Sequence, residues 1–246
     1  KKIYNFDDLN KTLRNGFSSK KFHHAIILNS PKSSGKFSFI KDFLTNYQNK
    51  DFLSNINILA IDKADKSYIN VDKIKKINEF LKLTEINNQQ RFIVIDAIDD
   101  LNQNAANALL KNLEEPPENV YFILISHNLE NILDTVKSRC RLFLNNNPNF
   151  NKFCQILDEN NFNLNQENLE ILFDLTSGCI GETLSYINHD IFSIYKEIYH
   201  ISNLRDIDFN LLIKIANDIS WNILQKIIIL ILNKKIKIIS QKDVNL

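Results

Sequence analysis

Apolar residues along the first 147 positions of the chain follow two alternating patterns. Short apolar runs, such as RFIVID at 91–96, are typical of strands that are covered on both faces of a parallel sheet. Between these runs, apolar residues recur every three or four positions, which predicts helices. The predicted strands are 22–30, 56–61, 91–96 and 120–126. The predicted helices are 6–16, 37–47, 71–83 and 105–113.

Strands that alternate with helices imply right-handed β-α-β units and a parallel sheet, so the fold class is α/β. This alternation ends at a run of Asn before Pro148, beyond which every apolar period is helical. We therefore predict an α/β domain at 1–147, a small helical domain at 148–190 and a further helical region at 191–246. The stretch around 221–232 is apolar on all sides, so it is predicted to be buried.

The composition excludes several classes of function. The 246 residues are 44% apolar and 24% charged, which is ordinary for a soluble globular protein. The net charge of +1 gives no strong global attraction for nucleic acid, so any DNA contact is local or is made by partners. Three Cys residues without a C-x-x-C pair or a His at zinc spacing predict reduced thiols in the cytoplasm and no metal site. The longest apolar run, 227–232, falls far short of the roughly 20 residues of a membrane helix.

A degenerate phosphate loop follows the first predicted strand. The segment SPKSSGKF at 30–37 keeps Gly35 and Lys36 of the G-x-x-x-x-G-K-[ST] pattern. Ser30 replaces the first Gly, and Phe37 replaces the Ser or Thr that binds Mg²⁺. Because a Phe side chain has no oxygen, this position cannot bind the metal. An ordinary turn between a strand and a helix is the alternative interpretation.

Asp96 ends the predicted strand at 91–96, where P-loop ATPases carry an Asp that handles Mg²⁺. Such enzymes follow it with a second carboxylate that orients the attacking water, but here the next residue is Ala97. Asp99 and Asp100 are expected to cap the following helix. A role for Asp96 merely as the end of a strand is equally compatible with the sequence.

The most specific motif lies in the second half of the predicted α/β domain. The segment 106–117 reads ANALLKNLEEPP, a strand follows, and Ser138-Arg139-Cys140 comes after it. These features, in this order, closely resemble the AAA+ clamp-loader family. The resemblance implies an AAA+ P-loop domain, a small helical lid at 148–190 and a helical collar-like region at 191–246. The collar-like region is shorter than is usual in the family, so it is either reduced or truncated. In the truncated case, the helix around 221–232 is expected to expose an apolar surface meant for a partner.

The resemblance also implies roles for individual residues. Arg139 corresponds to the family's arginine finger, which reaches across a subunit boundary to the γ-phosphate that a neighbour binds. A surface Arg that pairs with an acid is the alternative. Glu182, in GCIGETL at 178–184, stands where hydrolysing relatives carry an Arg that senses this phosphate. His127 falls near the family's first phosphate sensor without a predicted role, and Cys140 is expected to be a small buried residue.

The substitutions at Phe37, Ala97 and Glu182 each impair hydrolysis of ATP. The chain therefore resembles the non-hydrolysing, delta-prime type of subunit in the clamp loader of bacterial DNA polymerase III. Such a subunit has no ATPase or polymerase activity of its own, needs no cofactor beyond weak ATP binding, and gives Arg139 to a neighbouring ATPase. The implied partners are the gamma/tau and delta types of subunit, the sliding clamp and primer–template DNA.

Two other functions compete with this one. The first is an active, gamma/tau-like AAA+ ATPase that uses a divergent site built on Lys36 and Asp96. The second is a P-loop kinase of small nucleotides, which is disfavoured because the lid region has almost none of the Arg residues that bind such substrates.

Overall fold

The computed structural model describes residues 6–19, 22–63, 67–82, 89–201 and 220–243. The strands are β1 (Ala25–Asn29), β2 (Ile58–Asp62), β3 (Arg91–Asp96), β4 (Val120–Ser126) and β5 (Arg141–Leu144). The helices are α1 (Asp7–Ser18), α2 (Lys36–Gln48), α3 (Val71–Lys82), α4 (Gln103–Glu114), α5 (Asp134–Lys137), α6 (Phe150–Glu159), α7 (Gln166–Thr176), α8 (Ile180–Asn188), α9 (Ile191–Ile201) and α10 (Trp221–Asp243). Short 3₁₀ turns follow β3 and β4 at Ile98–Asp100 and Leu129–Asn131.

The chain divides into two compact units between Asn147 and Pro148. Within the described residues of the first unit, five strands form one sheet in the order β2-β3-β4-β1-β5, and every neighbouring pair is parallel. The predicted parallel α/β sheet is therefore confirmed. The strand β5 was not predicted from the sequence, because it is short, lies at an edge of the sheet and exposes Leu142 and Leu144.

Apolar side chains cover both faces of the sheet, because successive residues of a strand point to opposite sides. Ile27 and Ile95 pack on one face against α3, α4 and α5. Ile26 and Val94 pack on the other face against α1 and α2. Each buried aliphatic side chain of this kind stabilises the fold by about 1.5–3 kcal/mol relative to exposure. The sheet thus gives a rigid frame to the loops at its two ends.

One assignment of local structure from the sequence was wrong. Asp99 and Asp100 do not cap α4, because Asn102 occupies that position and accepts a hydrogen bond from the N–H of Ala105 at 2.8 Å. Asp100 instead forms an ion pair with Lys63 at 3.1 Å. The two acids belong to the 3₁₀ turn that precedes the cap, too early in the chain for the role expected of them.

The secondary-structure elements in the described residues of the second unit are all helices. Gly178 follows α7 with a φ of +75°, where a Cβ atom would lie 2.7 Å from the carbonyl oxygen of Pro148, so glycine is required. The helix α10 buries one face through Leu224, Ile227 and Ile231. Its other face exposes large apolar side chains, among them Ile229 at 57%. The predicted burial of the whole apolar stretch at 221–232 is therefore wrong for one of its faces.

The three-domain division of the sequence stays a prediction, since the lid and the collar-like region form parts of one compact unit. No helix in the described part of the chain combines the length and the apolar character that crossing a membrane requires.

Candidate functional site

The candidate phosphate loop connects β1 to α2. Gly35 precedes the first turn of α2 with φ 82° and ψ 15°, and Ser33 also has a positive φ of 62°. Glycine adopts this left-handed backbone without a steric cost, which explains its place at the entry to the helix. The loop therefore has the tight path of a phosphate-binding turn, and what its side chains do decides its chemistry.

Lys36 turns inward and binds the loop that carries it. Its side chain is only 3% exposed. The ammonium group donates to the carbonyl oxygens of Ser30 at 2.6 Å and Pro31 at 2.8 Å, and it lies 3.4 Å from the hydroxyl of Ser34. Because an ammonium group has three donors, these contacts satisfy it within the loop. A phosphate group would have to compete with these buried contacts.

Phe37 occupies the position of the expected magnesium ligand. Its ring belongs to the apolar cluster under α1 and α2 and meets the ring of Phe52 edge-on at 5.8 Å between centroids. A phenyl ring has no oxygen with which to bind a metal, and the neighbouring lysine faces its own loop. The residues of this loop therefore do not fit a magnesium-bound nucleotide in the arrangement that hydrolysis needs.

The carboxyl ends of β3 and β4 bring two titratable groups beside the loop. Burial raises the pKa of Asp96, although the nearby His127 and Lys36 partly oppose this effect. Burial and Lys36 lower the pKa of His127 below its ordinary value, and Asp99 and Asp96 oppose this effect only in part. The structure therefore brings Asp96, Lys36 and His127 together, as the phosphate-loop interpretation requires. Ala97 is buried beside Asp96 and offers no second carboxylate.

One polar group at this end of the sheet, the hydroxyl of Ser126, was not singled out from the sequence. Among the residues that the structure describes, the hydroxyl oxygens of Ser30 and Ser126 and the Nδ1 atom of His127 are buried without a hydrogen-bond partner. Ser126 ends β4 and pairs in register with Asn29 at the end of β1. Its position at the tip of a buried strand was the available signal.

Arg139 lies between α5 and β5 and is held by groups of the same chain. Its Nη2 atom forms an ion pair with the carboxylate of Glu114 at 2.7 Å. Its Nη1 atom donates to the carbonyl oxygen of Thr135 at 2.8 Å and to the hydroxyl of Ser138 at 3.3 Å. The side chain remains 35% exposed. The guanidinium is thus both anchored and accessible.

The loop and Arg139 lie at opposite ends of the strands. We call the end where the strands finish the carboxyl edge and the end where they begin the amino edge. The segment 30–35 follows the carboxyl end of β1, whereas Arg139 precedes the amino end of β5, where Arg141 aligns with Ile26. At about 3.3 Å per residue, the three residues from Ile26 to the end of β1 at Asn29 correspond to about 10 Å along the strands. Among the described residues, the partners of Arg139 are Glu114, Thr135 and Ser138, all of them away from the phosphate loop of its own chain.

The residue next to the candidate finger is chemically inert. Burial raises the pKa of the Cys140 thiol to about 12, and the side chain packs against the apolar cluster on the α4 face of the sheet. A thiol in this state is not a nucleophile near neutral pH. Cys140 is therefore a packing residue beside Arg139.

Glu182 is engaged within the helical unit. Its carboxylate accepts a hydrogen bond from the hydroxyl of Tyr186 at 2.7 Å and forms an ion pair with Lys226 of α10. Burial and this hydrogen bond raise the pKa of Tyr186. Glu182 thus links α8 to α10, a role that the sequence did not predict.

Comparisons with known proteins place these features in a family. The family model described as DNA polymerase III, delta subunit, matches residues 7–148. The DNA polymerase III subunit delta' of Buchnera aphidicola subsp. Schizaphis graminum is 30% identical over 197 residues, which cover 73% of this chain and 60% of that protein. The DNA polymerase III subunit gamma of the same organism is 28% identical over 210 residues, which cover 77% of this chain and 57% of that protein. The chain thus spans about three fifths of the length of these two relatives.

Solved structures share the fold at low sequence identity. A DNA polymerase III gamma subunit-related protein from Thermotoga maritima superposes with a TM-score of 0.55 at 20% identity, over 89% of this chain and 82% of that chain. The RuvB Holliday junction branch migration motor from Thermotoga maritima gives a TM-score of 0.52 at 12% identity, over 86% of this chain and 68% of that chain. The predicted AAA+ P-loop fold is confirmed. Since the family model covers more than half of the 246 residues, this chain belongs to the DNA polymerase III delta-subunit family.

Proposed function

We propose that the chain is a non-hydrolysing, delta-prime-type subunit of the DNA polymerase III clamp loader. In this role Arg139 stabilises the transition state of ATP hydrolysis at a neighbouring ATPase subunit of the gamma/tau type. The assembly, which also contains a delta-type subunit, opens a sliding clamp and loads it on primer–template DNA. The proposal includes these partners and a cytoplasmic location. It also includes a direct contribution of this chain to catalysis at the neighbour's site.

One observation carries this proposal: the phosphate loop satisfies its own lysine and presents a phenyl ring where magnesium would bind. Lys36 donates to two carbonyl oxygens of the loop, and Phe37 packs on Phe52. A site of this kind lacks the side-chain ligand for the metal, and its lysine is engaged by the loop instead of facing a nucleotide. The half-exposed Arg139, in contrast, keeps the group that can serve a neighbour.

The geometry of the sheet supports action in trans. Arg139 precedes the amino end of β5, whereas the phosphate loop follows the carboxyl end of β1, so the two lie at opposite ends of the strands. Guanidinium is always charged and has a planar set of donors that matches phosphate oxygens. An arginine finger of this kind contributes roughly 10³–10⁵ in rate.

An active gamma/tau-like ATPase is the alternative function. It is favoured by the similarity to subunit gamma and to the DNA polymerase III subunit tau of Bacillus subtilis, which is 28% identical over 204 residues. The chain also keeps Gly35, Lys36 and Asp96 in one place. Magnesium-dependent ATP turnover by the isolated chain discriminates between the two functions.

The test measures ATP turnover by a reconstituted mixture of a gamma-type ATPase subunit, a delta-type subunit, the sliding clamp, primed DNA and this chain. We expect no turnover by the chain alone and a fall of at least about a hundredfold in the mixture when Arg139→Ala replaces the natural chain. Robust turnover by the chain alone would make it a motor subunit. A mixture unaffected by Arg139→Ala would refute the finger.

A further inference from the structure

We propose that Glu114 is a positioning residue that holds Arg139 in the orientation in which it meets a phosphate. This role rests on the proposed function, because it matters only where Arg139 acts on a neighbour's nucleotide. The carboxylate of Glu114 lies 2.7 Å from Nη2 of Arg139 and forms an ion pair with it. Glu114 itself touches neither the nucleotide nor the reacting atoms.

Two rigid elements hold the guanidinium from different directions. Glu114 ends α4 and binds Nη2, whereas the carbonyl oxygen of Thr135 in α5 binds Nη1 at 2.8 Å. Contacts to two nitrogens of one planar group fix its plane as well as its position. An arginine that is already fixed loses less side-chain freedom when it binds a phosphate, which favours the transition state.

The support beneath Glu114 is firm. Leu109 and Leu113 of α4 are buried against the sheet. The last turn is further tied to the start of β1, since Nε2 of His24 lies 3.0 Å from the carbonyl oxygen of Leu113 and donates to it in the matching tautomer. A positioning residue needs such support, because a displacement of about 1 Å at a reacting group can cost about a hundredfold in rate.

The opposite side of the guanidinium remains available for a ligand. Within the described residues, Nε and Nη2 of Arg139 donate no hydrogen bond, and Nη2 contacts only the carboxylate of Glu114, in an ion pair. The planar fork can therefore keep the carboxylate of Glu114 and bind a phosphate oxygen at the same time. Simultaneous binding distinguishes a positioning residue from a competitor that must leave before the phosphate arrives.

The adjacent Glu115 gives a matched control. It carries the same charge one residue further along the chain and is exposed. No ion pair joins it to a described residue. Replacing Glu115 changes the net charge in the same way as replacing Glu114 and leaves the contact with Arg139 intact.

The experiment measures partner ATP turnover in the reconstituted mixture at increasing concentrations of this chain. We expect Glu114→Ala to lower the maximal turnover by about tenfold without a change in the concentration that gives half-maximal stimulation. Glu114→Gln should restore part of the loss, because its carboxamide oxygen can still approach Nη2 of Arg139, although without the charge of the ion pair. Glu115→Ala should behave as the natural chain.

A second background separates positioning from a general structural effect. In a chain that already carries Arg139→Ala, Glu114→Ala should cause no further loss, because a positioning residue acts only through the residue it positions. A further loss there would show that Glu114 acts through the fold and would overturn the inference.

The remaining outcomes distinguish the inference from the proposed function. If Arg139→Ala abolishes stimulation while Glu114→Ala leaves it unchanged or raises it, the finger stands and the positioning role is overturned. If Arg139→Ala itself has no effect, both the finger and the positioning role are refuted.

Discussion

The charged side chains at the two edges of the parallel sheet differ in their burial and in their partners. At the carboxyl edge, Lys36 is buried and satisfied by carbonyl oxygens of its own loop. At the amino edge, Arg139 is partly exposed and is held by an ion pair with Glu114 and a hydrogen bond to the carbonyl oxygen of Thr135. A cation that is consumed by its own loop stabilises the fold, whereas a cation that is held at the surface can serve another molecule.

The largest expected effect concerns Arg139 at the amino edge. Arg139→Lys should lower the partner's ATP turnover by at least about a hundredfold, close to the effect of Arg139→Ala, because an ammonium group lacks the planar fork. The measurement is steady-state turnover in the reconstituted mixture. As a control, Arg141→Lys keeps the charge two residues away and should leave turnover unchanged. Full activity of Arg139→Lys would show that charge alone suffices.

The next prediction concerns Lys36 at the carboxyl edge. Lys36→Met should lower the free energy of unfolding by about 2 kcal/mol, since the buried carbonyl oxygens of Ser30 and Pro31 lose their donor. The variant should still stimulate the partner's turnover once it is folded. Chemical denaturation measures the first effect, with Lys11→Met on the exposed side of α1 as the control. An unchanged stability combined with a lost affinity for ATP would instead assign Lys36 to nucleotide binding.

A third substitution tests whether a single added hydroxyl gives the phosphate loop ATPase activity. Phe37→Ser restores a hydroxyl at the metal position, yet we expect no ATP turnover by the chain alone, because Ala97 still lacks the second carboxylate. Loss of the contact with Phe52 should lower the free energy of unfolding by about 1 kcal/mol. Turnover gained by this one change would contradict the contrast between the two edges.

The smallest expected effect concerns His24, near the amino edge, and the dependence of the free energy of unfolding on pH. Burial and the neighbouring His23 lower the pKa of His24 from its ordinary value of 6.5. The unfolded chain therefore takes up a proton more readily, so stability that is present above pH 6.5 is lost as the pH falls through the lower pKa of the folded state.

Chemical denaturation at about pH 7.5 and about pH 5.5, on either side of the ordinary histidine pKa, measures this loss. The variant His24→Gln should lose less stability on acidification than the natural chain, whereas His189→Gln, an exposed site, should behave as the natural chain. An equal loss in His24→Gln would show that another group controls this pH range.

The sequence predicted the framework of the first unit because its physics is local and repetitive. Buried strands such as 91–96 and 120–126 show as apolar runs, and α4 shows as a helical period that ends before two prolines. Gly35 and Lys36 were recognisable from their spacing alone. Their placement at the carboxyl edge then follows from the direction of β1.

The contacts that define the candidate site were not predictable in this way. The pair of Glu114 and Arg139 joins two elements that a whole strand separates, and no periodicity marks it. The inward turn of Lys36 depends on the path of the loop backbone. The strand β5 exposes most of its side chains, so the apolar signal of a buried strand is missing.

The separation of the two edges gives the molecule a direction. In the proposed assembly, each subunit offers its arginine from one side and receives a neighbour's arginine on the other, which makes every contact head-to-tail. This chain can donate at its amino edge, but the loop at its carboxyl edge has no metal ligand at Phe37 for an incoming arginine to serve. It is therefore suited to a terminal place in such a row, where the succession of catalytic interfaces begins or stops.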